Sequence, residues 1–509
     1  MTTEAARDLT RIEFGDWQTN ISLARLVCCV LHDEGVRPDV IIEPTCGVGN
    51  FALAALEVFS DSLKAIYCID INRDYINEAK IRVEEFVSSH PTISFAKYEF
   101  FCSDVFSFDF NSLNVSADDN LLVLGNPPWV TNSKIGDIGG ANLPQKSNLK
   151  KLRGIDAITG SGNFDISENL SCKLIERFRA NHNSHFAMLM KSSVAQKLVV
   201  GGLPITNVKC YKIDSKKEFN VSVSACLFSA ELKENGQSNS AREFDLYSGE
   251  TVGAYGWENG HIVSDIQKYT DLSFIDGRCE LTWRSGLKHD CKKVMELKKT
   301  EVGYVNGFGE KVDIEEDLVH PLIKSSDIKR LEIESSRSYV IVTQTSVGAD
   351  TEWIKYKFPK TYAYLDSHSE LFENRKSSIY QGKPRFSIFG IGEYSFSPYK
   401  VVAAGLGASL SFATVLPING KVVMVDDTCY QISLESERAA KIFAQILRSD
   451  AVKSFLASIT FSDAKRRLCK SSLMRINLKA AAKAALDDAH ISNDDYNFAL
   501  SSLPHNTLF

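Results

Sequence analysis

Val40-Ile41-Ile42-Glu43-Pro44-Thr45-Cys46-Gly47-Val48-Gly49-Asn50-Phe51 reads as a short apolar strand, an acid at its end, and a glycine-bearing loop that opens a helix. The glycines lack a Cβ, so backbone there can approach a ligand closely. The loop lacks the full dinucleotide fingerprint and has no Lys-Ser or Lys-Thr for a nucleoside triphosphate. Asp70 follows about 20 residues beyond, where an acid commonly takes ribose hydroxyls. A nucleoside without phosphates fits this set better than a dinucleotide.

Outward from this stretch the pattern repeats. Ala65 to Ile69 runs into Asp70, Tyr98 to Cys102 runs nearly into Asp104, and Leu121-Leu122-Val123-Leu124 leads to Asn126-Pro127-Pro128-Trp129. Helical patterns between the runs make the βαβ rhythm of a doubly wound α/β fold. Ligands of such sheets sit outside the strand C-termini. One acid at a strand end is ordinarily a solvated or capping residue. Glu, Asp, Asp and Asn at four strand ends in this order are hard to assign to coincidence.

The tetrad Asn126 to Trp129 carries the chemistry. An exocyclic amino nitrogen is a poor nucleophile while its lone pair is delocalised into the ring. Two hydrogen-bond acceptors, the Asn126 side-chain oxygen and the Pro127 carbonyl, would pull the nitrogen toward a tetrahedral geometry aimed at an electrophilic methyl group. Pro127 and Pro128 fix φ and have no N–H, so they present carbonyls in one geometry. Trp129 offers a π-face for a base drawn out of its helix. The bare Asn-Pro-Pro is also an ordinary turn, and only its context separates the two readings.

With these motifs the chain resembles the S-adenosylmethionine-dependent DNA amino-methyltransferases, in the gamma motif order of restriction-modification enzymes. The resemblance implies a Rossmann-like methyltransferase domain with S-adenosyl-L-methionine as cofactor. It places Glu43 at the methionine end, Thr45, Gly47 and Gly49 in the close-packed loop, Asp70 on the ribose and Asp104 on the adenine amino group. Phe14-Gly15-Asp16-Trp17-Gln18-Thr19 resembles the N-terminal cofactor motif, with Thr19 near the methionine carboxylate, although Thr19-Asn20 stands where the family usually has Thr-Pro. Gly162-Asn163-Phe164-Asp165, with a helix through Phe178, resembles the next motif. Phe186 to Met190 resembles the fifth strand, with Lys191 in place of a frequent proline. Lys217-Glu218-Phe219-Asn220-Val221, before a strand from Ser222 to Phe228, resembles the motif whose aromatic packs on the opposite face of the extruded base. Phe219 and Trp129 would then clamp that base.

At 509 residues the chain predicts more than one domain of ordinary globular composition. Composition changes near Trp283. The expected division is a catalytic domain over 1–280 and a mixed α+β target-recognition domain over 281–509, the latter resembling that of the same family, including Asp426 to Tyr430 before a helix. Lys233 to Ser240 reads as a loop of the catalytic part, and Leu478 to Leu486 as a closing helix. The twelve cysteines are scattered, without Cys-x-x-Cys pairs and matching histidines. Reduced, mostly buried thiols and no metal are expected. No Pro-Cys occurs, which argues against cysteine-nucleophile C5 methylation and against zinc deamination. No signal peptide or membrane span is legible, so work in the cytoplasm is expected. A monomer is expected as well.

The formal net charge of −6 is unusual for a DNA binder. Binding depends on the local field, however, and basic clusters stand at Lys146, Lys150, Lys151 and Arg153 and at Lys465, Arg466, Arg467, Lys470 and Arg475. A basic cleft on an acidic surface is expected. The expected activity is adenine-N6 methylation of a specific site in double-stranded DNA by base flipping, with a cognate endonuclease encoded separately. N4-cytosine methylation is the nearest alternative, although that group usually has Ser where this chain has Asn126. RNA or protein-glutamine methylation is a second.

Overall fold

The computed structural model describes residues 18–90, 97–130, 165–181, 183–301, 303–407, 409–464 and 466–504. Phe14 to Trp17, the Lys146 to Arg153 cluster, Gly162 to Phe164 and Lys465 lie outside the described residues. The chain divides into two compact units, Met1–Val263 and Ser264–Phe509.

The first unit is built on a ten-stranded sheet. Its strands are β1 (Val40–Glu43), β2 (Ala65–Asp70), β3 (Lys97–Cys102), β4 (Leu121–Gly125), β5 (His185–Lys191), β6 (Ile205–Ile213), β7 (Ala225–Leu232), β8 (Ser240–Asp245), β9 (Thr251–Glu258) and β10 (His261–Val263). Their spatial order is β10-β9-β8-β6-β7-β5-β4-β1-β2-β3. Strands β3, β2, β1, β4 and β5 run parallel, and β7 lies antiparallel between β5 and β6. Strand order reverses between β1 and β4, which opens a crevice at their C-terminal ends. Those are the strands that end in Glu43 and lead to Asn126.

Helices α1 (Ile21–Asp33) and α2 (Asn50–Val58) cover the sheet beside this crevice. Helix α1 buries Leu23, Ala24, Val27, Cys28 and Leu31, at helical spacing, in one core with Phe51, Ala55 and Leu56 of α2 and with Ile41 and Ile66. Each large side chain so buried contributes about 1.5–3 kcal/mol. Among the described residues the unit also has helices α3 (Arg73–Ser89), α4 (Ile166–Phe178), α5 (Ser192–Val200) and the short α6 (Ser215–Phe219). The strand expected from Ser222 begins at Ala225 instead. Asn220 closes α6 in the left-handed region at φ 55°, and residues 221–224 are needed to carry the chain back to the sheet.

The second unit is mixed α+β. One five-stranded sheet orders Arg284–Ser285, Cys429–Leu434, Tyr399–Ala404, Phe412–Val415 and Glu332–Ile333, and a six-stranded sheet includes Glu296–Thr300, Val319–Ile323 and Ser338–Ile341. Residues 264–280, grouped by composition with the catalytic part, pack with this unit. The Ser264 and Asp265 N–H groups donate to Ser458 O at 2.7 and 3.1 Å, and the helix Ile266–Leu272 sets Tyr269 near Phe455. Asp426 to Tyr430 runs into the strand Cys429–Leu434, which separates it from the helix Glu437–Arg448. Leu478–Asp487 does not close the chain, because Asn493–Ser501 forms a further helix. Arg475 is not an open cation: its Nε and Nη2 donate to Asp276 at 2.9 and 2.5 Å in a largely buried pair. Arg466 is likewise engaged with Asp427. All twelve cysteines are free thiols, eight of them buried.

Candidate active site

Glu43 ends β1 with its side chain buried and Oε2 without a hydrogen-bond partner. Burial pushes its carboxyl well above the usual carboxylate range, and neighbouring Cys68 adds to this. An unsatisfied buried oxygen of this kind costs about 1–3 kcal/mol, so it marks a place suited to a hydrogen-bonding, cationic ligand group. The amino group at the methionine end of S-adenosylmethionine has that character.

The loop after Glu43 needs its glycines. Gly47 and Gly49 hold φ of +51° and +78°, and Gly49 is the residue from which α2 starts. A Cβ on Gly49 would lie 3.0 Å from that of Ala79. Asp70 Oδ2 accepts the Gly47 N–H at 2.9 Å and Oδ1 the Asn72 N–H at 2.8 Å, so the acid at the end of β2 also ties down the loop. Arg82, which no short motif singled out, braces it further together with Asn50 of the loop itself. Arg82 donates to Val48 O at 2.6 Å and to Asn50 Oδ1 at 2.8 Å, and Asn50 Nδ2 donates to Thr19 O at 2.7 Å. The only sequence signal for Arg82 is a cation on the face of α3 that turns toward the loop.

Asn126 follows β4 directly. Its Nδ2 donates to Thr19 Oγ1 at 3.1 Å, and its carbonyl accepts the Thr45 hydroxyl at 3.3 Å. Thr19 thus takes the nitrogen end of the amide and leaves the oxygen end turned away from its hydroxyl. Asp104 lies exposed beyond β3, with Oδ1 accepting the Phe106 N–H at 2.9 Å. The structure therefore gathers Thr19, Glu43, Thr45, Gly47, Asp70 and Asn126 through direct bonds or adjacent strand ends, and sets Asp104 at the same sheet edge.

Trp129 is buried, and its Nε1 donates to Leu189 O at 3.3 Å. Phe219, also buried, meets it edge to face with ring centroids 5.0 Å apart. The two rings come together as expected, but they touch each other and leave no slot for a base between them. Pro127 and Pro128 bridge Asn126 to this aromatic pair. Just beyond, Val130 O accepts the Ile166 N–H at 3.0 Å, and Asp165 caps α4 while accepting Lys191 Nζ at 2.5 Å. Lys191 thus anchors the start of α4 from the end of β5, work that a proline there could not do.

Asn20 has two roles that its expected proline counterpart also lacks. Its Oδ1 accepts the Leu23 N–H at 2.8 Å and caps α1, while its Nδ2 donates to Glu218 Oε2 at 2.9 Å.

No protein-family model matches the chain. A curated relative, the type II methyltransferase M.NspV of Nostoc sp. (strain ATCC 29411 / PCC 7524), is 39% identical over 482 residues, which span 94% of this chain and 98% of the relative. Among solved structures, the type IIL restriction-modification enzyme MmeI in complex with DNA is similar in fold, with a TM-score of 0.55 at 14% identity, over 98% of this chain and 71% of that one.

Proposed function

The chain belongs to the type II methyltransferases, and from that premise we propose that it methylates the N6 amino group of adenine within a specific sequence of double-stranded DNA. The methyl donor is S-adenosylmethionine, which supplies an electrophilic methyl group on its sulfonium. The observation that carries the adenine reading is the Asn126 amide at the β1–β4 crevice, turned by Thr19 so that its oxygen faces away from the Thr19 hydroxyl. With the Pro127 carbonyl it accepts the two N–H bonds of the amino group and concentrates the lone pair on nitrogen. S-adenosylmethionine held at Glu43, the Gly47 to Gly49 loop and Asp70 would supply the electrophilic methyl carbon, and Asn126 and Pro127 would hold the amino nitrogen toward it, its extra proton leaving for solvent.

DNA as substrate is supported by the relative's type II class and by the DNA-bound MmeI, whose fold this chain shares. The second unit is the target-recognition domain in this reading. An amino group inside a duplex cannot reach Asn126, so the base is flipped out. Trp129 and Phe219 form the aromatic wall beside it, and their mutual edge-to-face contact gives way to contact with the base. Labelled-methyl transfer to plasmid DNA followed by nucleoside analysis tests the reading. N6-methyladenine is expected; N4-methylcytosine alone removes the adenine assignment, and unlabelled DNA removes the DNA substrate.

Glu43 provides a second test. Its raised carboxyl pKa means that pairing with the cofactor's ammonium favours the ionised form, so binding releases a proton and affinity rises with pH as Glu43 deprotonates. Titration calorimetry in two buffers of different ionisation heat should show that release in the wild type and lose it in Glu43→Gln. Buffer-independent heats in the wild type would rule out a protonated Glu43 that ionises on pairing with the cofactor's amino end.

A further inference from the structure

Glu218 lies next to Phe219 in sequence, and its side chain is only 8% exposed. One carboxylate oxygen accepts Asn20 Nδ2 at 2.9 Å and the other accepts the Tyr247 hydroxyl at 3.0 Å. Tyr247 is held in turn, because its oxygen also accepts the Asp214 N–H at 3.2 Å at the start of α6. Burial, with Glu218 among the contributors, pushes the Tyr247 phenol up to about 12, so it remains a donor throughout the working pH range. The Lys217 ammonium, 3.5 Å from Glu218, is the one cation in ion-pair contact with this carboxylate among the described residues.

These contacts close a ring. Asn126 bonds Thr19; Thr19 is joined to Asn20; Asn20 bonds Glu218; Glu218 is joined to Phe219; and Phe219 packs on Trp129, three residues from Asn126. Both ends of the Asn126 to Trp129 tetrad are therefore tied through one carboxylate. Removing that carboxylate would leave the amide and the aromatic pair each held locally, but free to shift relative to one another. A misplacement of about 1 Å is enough to cost on the order of 100-fold in rate.

We infer that Glu218 is a positioning residue for methyl transfer, setting the spacing between the Asn126 acceptor and the Trp129–Phe219 wall through its bonds to Asn20 and Tyr247. The inference rests on the amino-methyltransferase reading above. Glu218 acts through Asn20 and the Phe219 turn, so its signature differs from that of Asn126.

A double-mutant cycle on the full chain tests it, with Asn20→Ala, Glu218→Ala and the pair. Each single variant should lower kcat by on the order of tenfold while the dissociation constant for S-adenosylmethionine stays within about twofold. The pair should be no slower than the slower single variant. Multiplying losses, unchanged kcat, or a loss confined to cofactor binding would overturn the role. Tyr247→Phe, which keeps the ring and removes one bond, should fall between wild type and Glu218→Ala. A substrate-free readout separates this inference from the functional reading. In protein labelled with 5-fluorotryptophan, the Trp129 resonance, assigned by its absence in Trp129→Phe, should move in both Asn20→Ala and Glu218→Ala. If the wild type methylates no DNA, the functional reading fails and the resonance still decides the coupling; an unmoved resonance overturns it.

Discussion

Asn126→Ala should abolish measurable methyl transfer, lowering kcat by on the order of 10²–10³-fold, while S-adenosylmethionine and DNA still bind. The size follows from removing one acceptor aimed at the reacting nitrogen, which corresponds to about 2.7–4 kcal/mol when a comparably oriented group is deleted from an oxyanion hole. Cofactor binding should survive because the loop is held by Asp70, Arg82 and Asn50, none of which needs the Asn126 side chain. DNA binding should survive because the duplex is gripped chiefly through its backbone. Single-turnover kinetics, calorimetry with the cofactor and a filter-binding assay with DNA separate the three quantities. Turnover near the wild-type rate would remove Asn126 from the chemistry. Loss of cofactor binding would instead make it part of the loop's support.

The second large effect concerns Lys400, and it is one of stability. This lysine sits in the strand Tyr399–Ala404 at 1% exposure, and its ammonium donates to Val423 O at 2.7 Å. Burial pushes its pKa from 10.5 down to about 7. Between these values the unfolded chain holds a proton that the folded chain has released, so stability rises with pH across that window. The slope approaches about 1.4 kcal/mol per pH unit, and below pH 7 the full cost of the buried charge is present. Lys400→Met removes this titration at the expense of one hydrogen bond to Val423 O, about 1 kcal/mol. Urea unfolding of the full chain at several pH values should find the variant more stable than wild type at pH 6.5, with the difference shrinking and then reversing toward pH 10. Parallel pH profiles for the two proteins would rule out a buried, titrating Lys400.

The strands that bear the active site are legible because their signals are local. Runs such as Ile66 to Ile69 and Leu121 to Leu124 are apolar throughout, as strands covered on both faces must be, the first running into Asp70 and the second reaching Asn126 through Gly125. The glycine loop is legible for a similar reason, since positive φ at Gly47 and Gly49 is a property of the residue itself. Less visible were the start of β7, displaced to Ala225 by the left-handed turn at Asn220, and the second unit's claim on residues 264–280. Basic residues misled in a different way. A positive cluster in sequence shows how many cations there are, but the Arg475 pairing with Asp276, 199 positions away, was beyond reach.

What the sequence by itself determined is the order of strand-end groups, the glycine loop and the Asn-Pro-Pro-Trp tetrad, and with them the fold class and the kind of chemistry. Neighbouring residues specify these through periodicity and backbone preference. Only the tertiary structure decided what holds them in place: Thr19 on Asn126 across 107 positions, Arg82 on the loop, and Glu218 joining Asn20 to the Phe219 turn across 198. Such hydrogen bonds form only after the chain has closed long loops, so their partners are set by the path of the backbone and leave no local pattern to read. That distinction also revises the aromatic wall. Composition could supply Trp129 and Phe219, but only packing shows that they rest edge to face against each other.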